Sequence, residues 1–219
     1  MRKYLSEFGL GVYTSLKTMV PVEKLDEVDR SNAYHIYMIL SRPRTTINPK
    51  SIHSSSKGIT LKLLVHNQDE IEEHMVENFV VIPGADYSKV ECRCSHYDEH
   101  LEIKYDIKDM LKVNNKIRNK KEKEYTDEEI VKIFEKPIIL ESDLILKEVL
   151  RRKLQSMKME VLYIGQSYGK NGERTALDRL SSHSTLQKIL IDCHSKYRDK
   201  RIYVLLLQFS SQLLSSSSN

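Results

Sequence analysis

The stretch from Val161 to Leu190, VLYIGQSYGKNGERTALDRLSSHSTLQKIL, constrains what this chain can fold into more than any other. Val161, Leu162, Tyr163 and Ile164 are aliphatic or aromatic and favour a strand, which Gly165 closes. A polar turn, Gln166 to Gly172, follows. From Glu173 or Thr175 onward, Ala176, Leu177, Leu180, Leu186 and Ile189 recur at three- and four-residue steps, the spacing of a helix. A continuous helix puts Arg179 and His183 on one face, one turn apart. A tyrosine leaving a strand, followed by an arginine and a histidine stacked on a helix, suits phosphodiester cleavage. The guanidinium binds and neutralises a phosphate, the imidazole moves a proton near neutral pH, and the phenol holds water or phosphate. Each group alone has a blander role: a core tyrosine, a surface arginine paired with Asp178 or Glu173, a histidine at a helix end.

Composition limits the alternatives. With 219 residues there is room for one large domain or two small ones. No stretch approaches the ~18 apolar residues of a membrane span. The N-terminus, MRKYLSEFGLGVYTS, lacks the apolar core and cleavage site of a secretion signal, so a cytoplasmic protein is expected. The net charge of +4 permits nucleic-acid binding without demanding it. Three cysteines without an export signal read as thiols. Cys92, Cys94 and His96 alternate, which on a strand gives one face. C-x-C-x-H is not the usual zinc-knuckle spacing, and small buried apolar cysteines are the better reading.

Along the chain, Ala33 to Leu40 reads as a strand stopped by Arg42-Pro43-Arg44, a loop whose arginines could touch DNA. Ile59 to His66 and Phe79 to Ile82 read as strands, with Asp69 to Glu77 as a short helix or turn between them. Lys89 to Tyr97 and Glu99 to Ile107 add further strands. The charge run Asn114 to Glu124 marks the domain boundary. Thr126 opens a helix with a capping-box pattern, and Ser142 to Lys158 is a second helix. Ile202 to Phe209 is apolar enough for a central strand, and the serine-rich end is a polar tail.

Tyr163-Ile164-Gly165, then Arg179-x-x-x-His183, then Leu186-Gln187, resemble the second half of the GIY-YIG nuclease domain over residues ~160–210. The resemblance implies a small three-stranded antiparallel sheet flanked by helices and a DNA endonuclease using Mg²⁺ or Mn²⁺. It implies Tyr163, Arg179 and His183 as catalytic groups, with Gly165, Tyr168, Lys170 and Gln187 at the substrate. Two departures stand out. The family's GIY strand normally precedes YIG within hairpin reach, whereas here the candidates Gly11-Val12-Tyr13, His35-Ile36-Tyr37 and Lys104-Tyr105 are all distant and require a large insertion. The family's metal-binding glutamate follows its third strand, and this chain has no glutamate after Glu173; Asp192 and Asp199 are weak stand-ins.

The expected fold is therefore α+β: a β-rich recognition or assembly domain over 1–113, charged linker and helices over 114–159, a GIY-YIG-like core over 160–210 and a polar tail over 211–219. The expected function is cutting of DNA, with restriction or defence against foreign DNA as its setting. The alternative is an incomplete module that binds DNA or a protein without cutting, or a subunit of a homo-oligomer or larger assembly. No membrane partner is expected.

Overall fold

The computed structural model describes residues 5–67, 70–118, 125–167, 174–182, 184–196 and 199–218. In chain order the elements are β1 (Leu5–Pro21), β2 (Ile36–Ile47), β3 (His53–Ser55), β4 (Gly58–Asn67), β5 (Glu70–Phe79), β6 (Glu91–Ser95) and β7 (His100–Lys104). Then come α1 (Ile107–Arg118), α2 (Asp127–Phe134), β8 (Ile138–Glu141), α3 (Ser142–Arg152), β9 (Glu160–Gln166), α4 (Ala176–Leu180), α5 (Ser184–Lys196) and β10 (Lys200–Ser218). The fold class is α+β, as expected.

The chain divides into a terminal unit, residues 1–42 and 158–219, and an inserted unit, residues 43–157. The boundary expected at residue 114 lies inside the second of these. The charge run there begins as the amphipathic helix α1, whose Met110 and Val113 join the core of Leu61, Leu63, Leu101 and Ile103. Burying that apolar stripe anchors α1, and with it the first residues of the run, in this unit. Ile130 from α2 and Ile145 from α3 enter the same core, so the helices expected in a linker are part of this unit.

In the inserted unit, β4 pairs antiparallel with β3, with β5 and with Arg44–Ile47 of β2, and β6–β7–β8 form a separate antiparallel sheet. Residues 70–77, EIEEHMVE, carry good helix formers, yet they form a strand. The full-length ladder to β4, with Val76 buried opposite Leu61, outweighs intrinsic preference. Arg42 and Arg44 are not in a loop. The strand continues through Pro43, which sits where β2 leaves its pairing with β9 for its pairing with β4, a position needing no ladder N–H. Arg42 is buried over the Tyr203 ring, and Arg44 is ion-paired to Glu99, so neither guanidinium is displayed for DNA. Thr126 and Glu129 form the expected capping box of α2.

The terminal unit has the strand order β1–β10–β2–β9. The serine-rich end is part of β10 rather than a tail, because its backbone pairs with β1 in register from Leu5↔Ser218 to Pro21↔Tyr203, with a bulge at Ser15. The core lies between this sheet and α4–α5: Tyr34, Tyr37 and Ile39 of β2 and its lead-in, Val204 and Leu206 of β10, and Ala176, Leu177, Leu180 and Leu186 of the helices.

β2 and β9 pair antiparallel from Ile36↔Gln166 to Ser41↔Glu160. Ser41 and Glu160 are thus cross-strand neighbours, and the inserted unit occupies the position of a hairpin turn. Replacing residues 43–158 with an Asn-Gly turn is expected to leave a cooperatively melting terminal unit, because Ser41 opposite Glu160 puts Arg42 opposite Met159, close enough for a two-residue loop. Far-UV circular dichroism and a thermal melt check this; a non-cooperative, unfolded product would contradict the register.

Candidate functional site

Strand alternation builds the site. On β2, Tyr37 and Ile39 face the helices and are fully buried. On β9, Tyr163, Gly165 and, just past its end, Ser167 share the face opposite exposed Ile164. The register sets Tyr37 against Gly165 and Ile39 against Tyr163. The Tyr37 and Tyr163 rings are 6.0 Å apart and tilted by 33°. Of the three distant tyrosines considered for pairing with Tyr163-Ile164-Gly165, Tyr37 is the one so placed. Tyr13 lies on β1 opposite Ser210, and Tyr105 is buried in the inserted unit against Tyr87.

Gly165 exists for Tyr37. A Cβ at position 165 would lie 2.7 Å from Tyr37 Cε1 and closer still to Cζ and the hydroxyl oxygen. The ring lies directly on the glycine backbone, which is where the structure places a residue the sequence assigned to substrate contact.

Helix α4 brings in Arg179. Thr175 and Asp178 form a capping box: Thr175 Oγ1 accepts from the Asp178 N–H at 3.3 Å, and Asp178 Oδ2 accepts from the Thr175 N–H at 2.9 Å. The Ala176 N–H donates to the Tyr34 carbonyl at 2.7 Å and ties the helix start to the strand that carries Tyr37. Ala176, Leu177 and Leu180 are buried against the sheet. Arg179 then reaches back, and its Nη1 donates to the Gln166 carbonyl at 2.9 Å.

The helix read as continuous from 175 to 189 is two helices. After Leu180 the Ser181 hydroxyl donates to the Asp178 carbonyl at 2.9 Å, and the Ser182 N–H bonds three residues back to Arg179. Serine hydroxyls competing for helix carbonyls end the helix here. Arg179 lies on α4; His183, expected one turn above it on the same face, lies outside the described residues, as do Tyr168 and Lys170. Gln187 is exposed on α5, Asp192 is on the same helix, and Asp199 precedes β10.

Burial raises the Tyr37 phenol above its ordinary value of 10, the neighbouring Tyr163 raises it further, and Arg179 offsets this in part. Hydrogen bonding links the Tyr37 side chain to both Tyr163 and Arg179. At neutral pH the Tyr37 hydroxyl is thus a proton donor and not a phenolate. Two features the sequence reading did not single out complete the site. His35 Nδ1 contacts the Ser167 carbonyl at 2.9 Å, and the Ser167 N–H donates to the His35 carbonyl at 2.7 Å. The Ser167 hydroxyl is buried, with no hydrogen-bond partner among the described residues. The available signal was His35, which directly precedes β2.

Mg²⁺ and Mn²⁺ take oxygen ligands, carboxylates above all. Among the described residues no group of three His, Cys, Asp or Glu side chains could hold a metal. The groups at the site are a guanidinium, two phenols, a hydroxyl and an imidazole, which do not fit such an ion. Glu173 lies outside the described residues. Cys92 and Cys94 are half-buried, and burial pushes both thiols up to about 11, so they are protonated. His96 falls beyond the end of β6 in a left-handed turn with φ 49°, which removes it from the alternating face. Among the described residues no helix is long and apolar enough to cross a membrane.

No protein-family model, curated protein or solved structure matches this chain.

Gly165→Ala is expected to cost about 1–3 kcal/mol of stability by overpacking, and to move the Tyr37 ring. Chemical denaturation measures the first, and the Tyr37 ring resonances the second; unchanged values would contradict the stacked geometry. The capping bonds from the Thr175 side chain, then its backbone, hold the Asp178 carboxyl below the ordinary aspartate value of 3.8. A carboxyl lowered by folding stabilises fully above the unfolded value, and its contribution is lost as pH falls through the folded one. Protection of the Ala176–Leu180 amides, exchange relative to the intrinsic rate at the same pH, is therefore expected to fall in the wild type as the pH drops below the ordinary aspartate value of 3.8. Asp178→Asn is expected to show that reduced protection at neutral pH already. Full neutral-pH protection in the variant would contradict the cap.

Proposed function

We propose that the terminal unit hydrolyses a phosphodiester of DNA at Tyr37, Tyr163 and Arg179. The observation that carries this reading is their convergence. Three side chains from β2, β9 and α4 meet on one sheet face, although Tyr37 and Tyr163 are separated by the whole inserted unit. The pairing of His35-Ile36-Tyr37 with Tyr163-Ile164-Gly165 supplies the strand partner that a GIY-YIG-like core requires.

Each group has a role its chemistry suits. A guanidinium carries five N–H donors in a planar fork. One holds the Gln166 carbonyl and another engages the Tyr37 side chain, which fixes the head group, and its positive charge suits that building on the phosphate oxygens during attack. The protonated Tyr37, buried and hydrogen-bonded to Tyr163 and Arg179, holds those two groups in place for the phosphate. Cutting of foreign DNA is the wider setting of this reading. A second reading, a DNA-binding module that does not cut, is favoured by one observation: the described residues of the site include no carboxylate placed for a metal.

Supercoiled plasmid separates the two. Wild type, Arg179→Ala and Tyr37→Phe are incubated with Mg²⁺, with Mn²⁺ and with chelator. The hydrolase reading expects nicked and linear products from wild type, a loss of about 10²–10³-fold in Arg179→Ala, and a smaller loss in Tyr37→Phe. Retained DNA binding without cutting, equal in all three, would establish the binding module.

A further inference from the structure

β1 and the segment that leads from it to β2 form the walls of a cavity of about 380 Å³. Leu16 and Val20 of β1 line it with apolar carbon, and so does Val28. Tyr34, 2% exposed, and Thr18 also line it, their hydroxyls hydrogen-bonded to each other at 2.6 Å. Asn32 brings an amide to the same wall. A cavity of a few hundred Å³ with apolar walls and a few polar groups is the usual form of a small-molecule site. Resting on the proposed reading that this unit acts on DNA, we propose that the cavity takes one unpaired base of the substrate.

The ligand class follows from how the Asn32 amide is held. Asp29 Oδ1 accepts from the Ser31 N–H at 2.9 Å, and Oδ2 accepts from the Ser31 hydroxyl at 2.8 Å and from Asn32 Nδ2 at 3.2 Å. A carboxylate only accepts, so the amide nitrogen is the atom turned toward Asp29. The amide keeps its oxygen and a second N–H, an acceptor beside a donor. Every base carries an adjacent donor and acceptor on its Watson–Crick edge, and pairing in a duplex occupies that edge. An unpaired base presents it, and the apolar walls suit the two faces of its ring.

The cavity is joined to the helix that carries Arg179. The Tyr34 carbonyl accepts from the Ala176 N–H at 2.7 Å, at the start of α4. Arg30 follows Asp29 and is 56% exposed, with its guanidinium 4.0 Å from Asp26 and 3.9 Å from Asp178 of α4. Asp178 is already engaged by Thr175 in the helix cap. Ion pairs at that range on an exposed surface are worth little, so the guanidinium can turn to a phosphate, for which its planar fork is better suited. Glu27 and Asp29 line the cavity beside Lys24. A neutral base tolerates those carboxylates, and the phosphate that follows it falls to Arg30.

Three labelled DNAs test this: a short paired duplex, the same duplex with one bulged thymidine, and the same duplex with a bulged abasic residue. Fluorescence anisotropy in chelator measures their binding to the full chain, as wild type, Asn32→Leu and Arg30→Ala, with melting temperatures as the folding control. Wild type is expected to hold the bulged thymidine about 10-fold more tightly than the other two. Asn32→Leu is expected to lose that difference and keep its affinity for the paired duplex. Arg30→Ala is expected to weaken all three alike and to lower the salt slope by about one ion. Equal binding of the three DNAs by wild type, or a preference for the base that survives Asn32→Leu, overturns the inference. Should Asn32→Leu fail to fold, the side-chain amide resonances of wild-type Asn32 decide. A shift with the bulged thymidine and not with the abasic duplex supports the cavity, and no shift overturns it. Plasmid cutting by a wild type without the preference leaves the hydrolase reading standing and removes the cavity. The preference without cutting keeps the cavity and overturns the hydrolase, and no binding at all overturns both.

Discussion

The contact on which the terminal unit depends is the Tyr37 ring lying on the backbone of Gly165. It needs a residue without a side chain at one position and an aromatic one directly opposite, and the β2–β9 ladder supplies both. From it follow the register, the face on which Tyr163 emerges, and the gap into which Arg179 reaches. The two strands are separated in sequence by more than half the chain, and closing so long a loop costs entropy that grows with the logarithm of its length. That cost is lowered when the loop is itself folded. The inserted unit has its own buried core of Leu61, Leu101, Ile103, Val113 and Ile145, so it joins β2 to β9 as a folded body and not as a random coil.

The site's electrostatics follow from that packing. Tyr37 is buried by the same contacts that align the strands, and burial favours the neutral phenol. Arg179 is held by a carbonyl at the end of β9, and His35 by the next one. Two successive backbone carbonyls, Gln166 and Ser167, thus hold the Arg179 guanidinium and the His35 imidazole.

The strand around Tyr163, the apolar pattern of α4 and α5, and the cap of α2 were legible because each is local: a β-branched run, a three-to-four-residue repeat, a Thr-x-x-Glu. The partner of Tyr163 was narrowed to three tyrosines but not to one, since pairing across an inserted domain leaves no local mark. Local signals also misled. Glutamates at 70–77 favour a helix until a ladder with β4 is available, and the closing serines look like a tail until β1 pairs with them. The apolar repeat over 175–189 looked unbroken because Ser181 and Ser182 do not interrupt it, yet α4 ends at Leu180, where the Ser181 hydroxyl donates to the Asp178 carbonyl. His35 was visible only as part of a triplet, and its ring contacts a carbonyl 132 residues away.

The most direct test of the central claim is cleavage of a duplex in ¹⁸O-labelled water by the wild-type protein, with mass analysis of the new ends. Attack of water on phosphorus at the Tyr37–Tyr163–Arg179 site predicts one ¹⁸O in each newly formed terminal phosphate, none in the released hydroxyl, and products from Arg179→Ala that form about 10²–10³-fold more slowly. Intact duplex after prolonged incubation with saturating wild-type protein, or label-bearing products formed equally by Arg179→Ala, would contradict it.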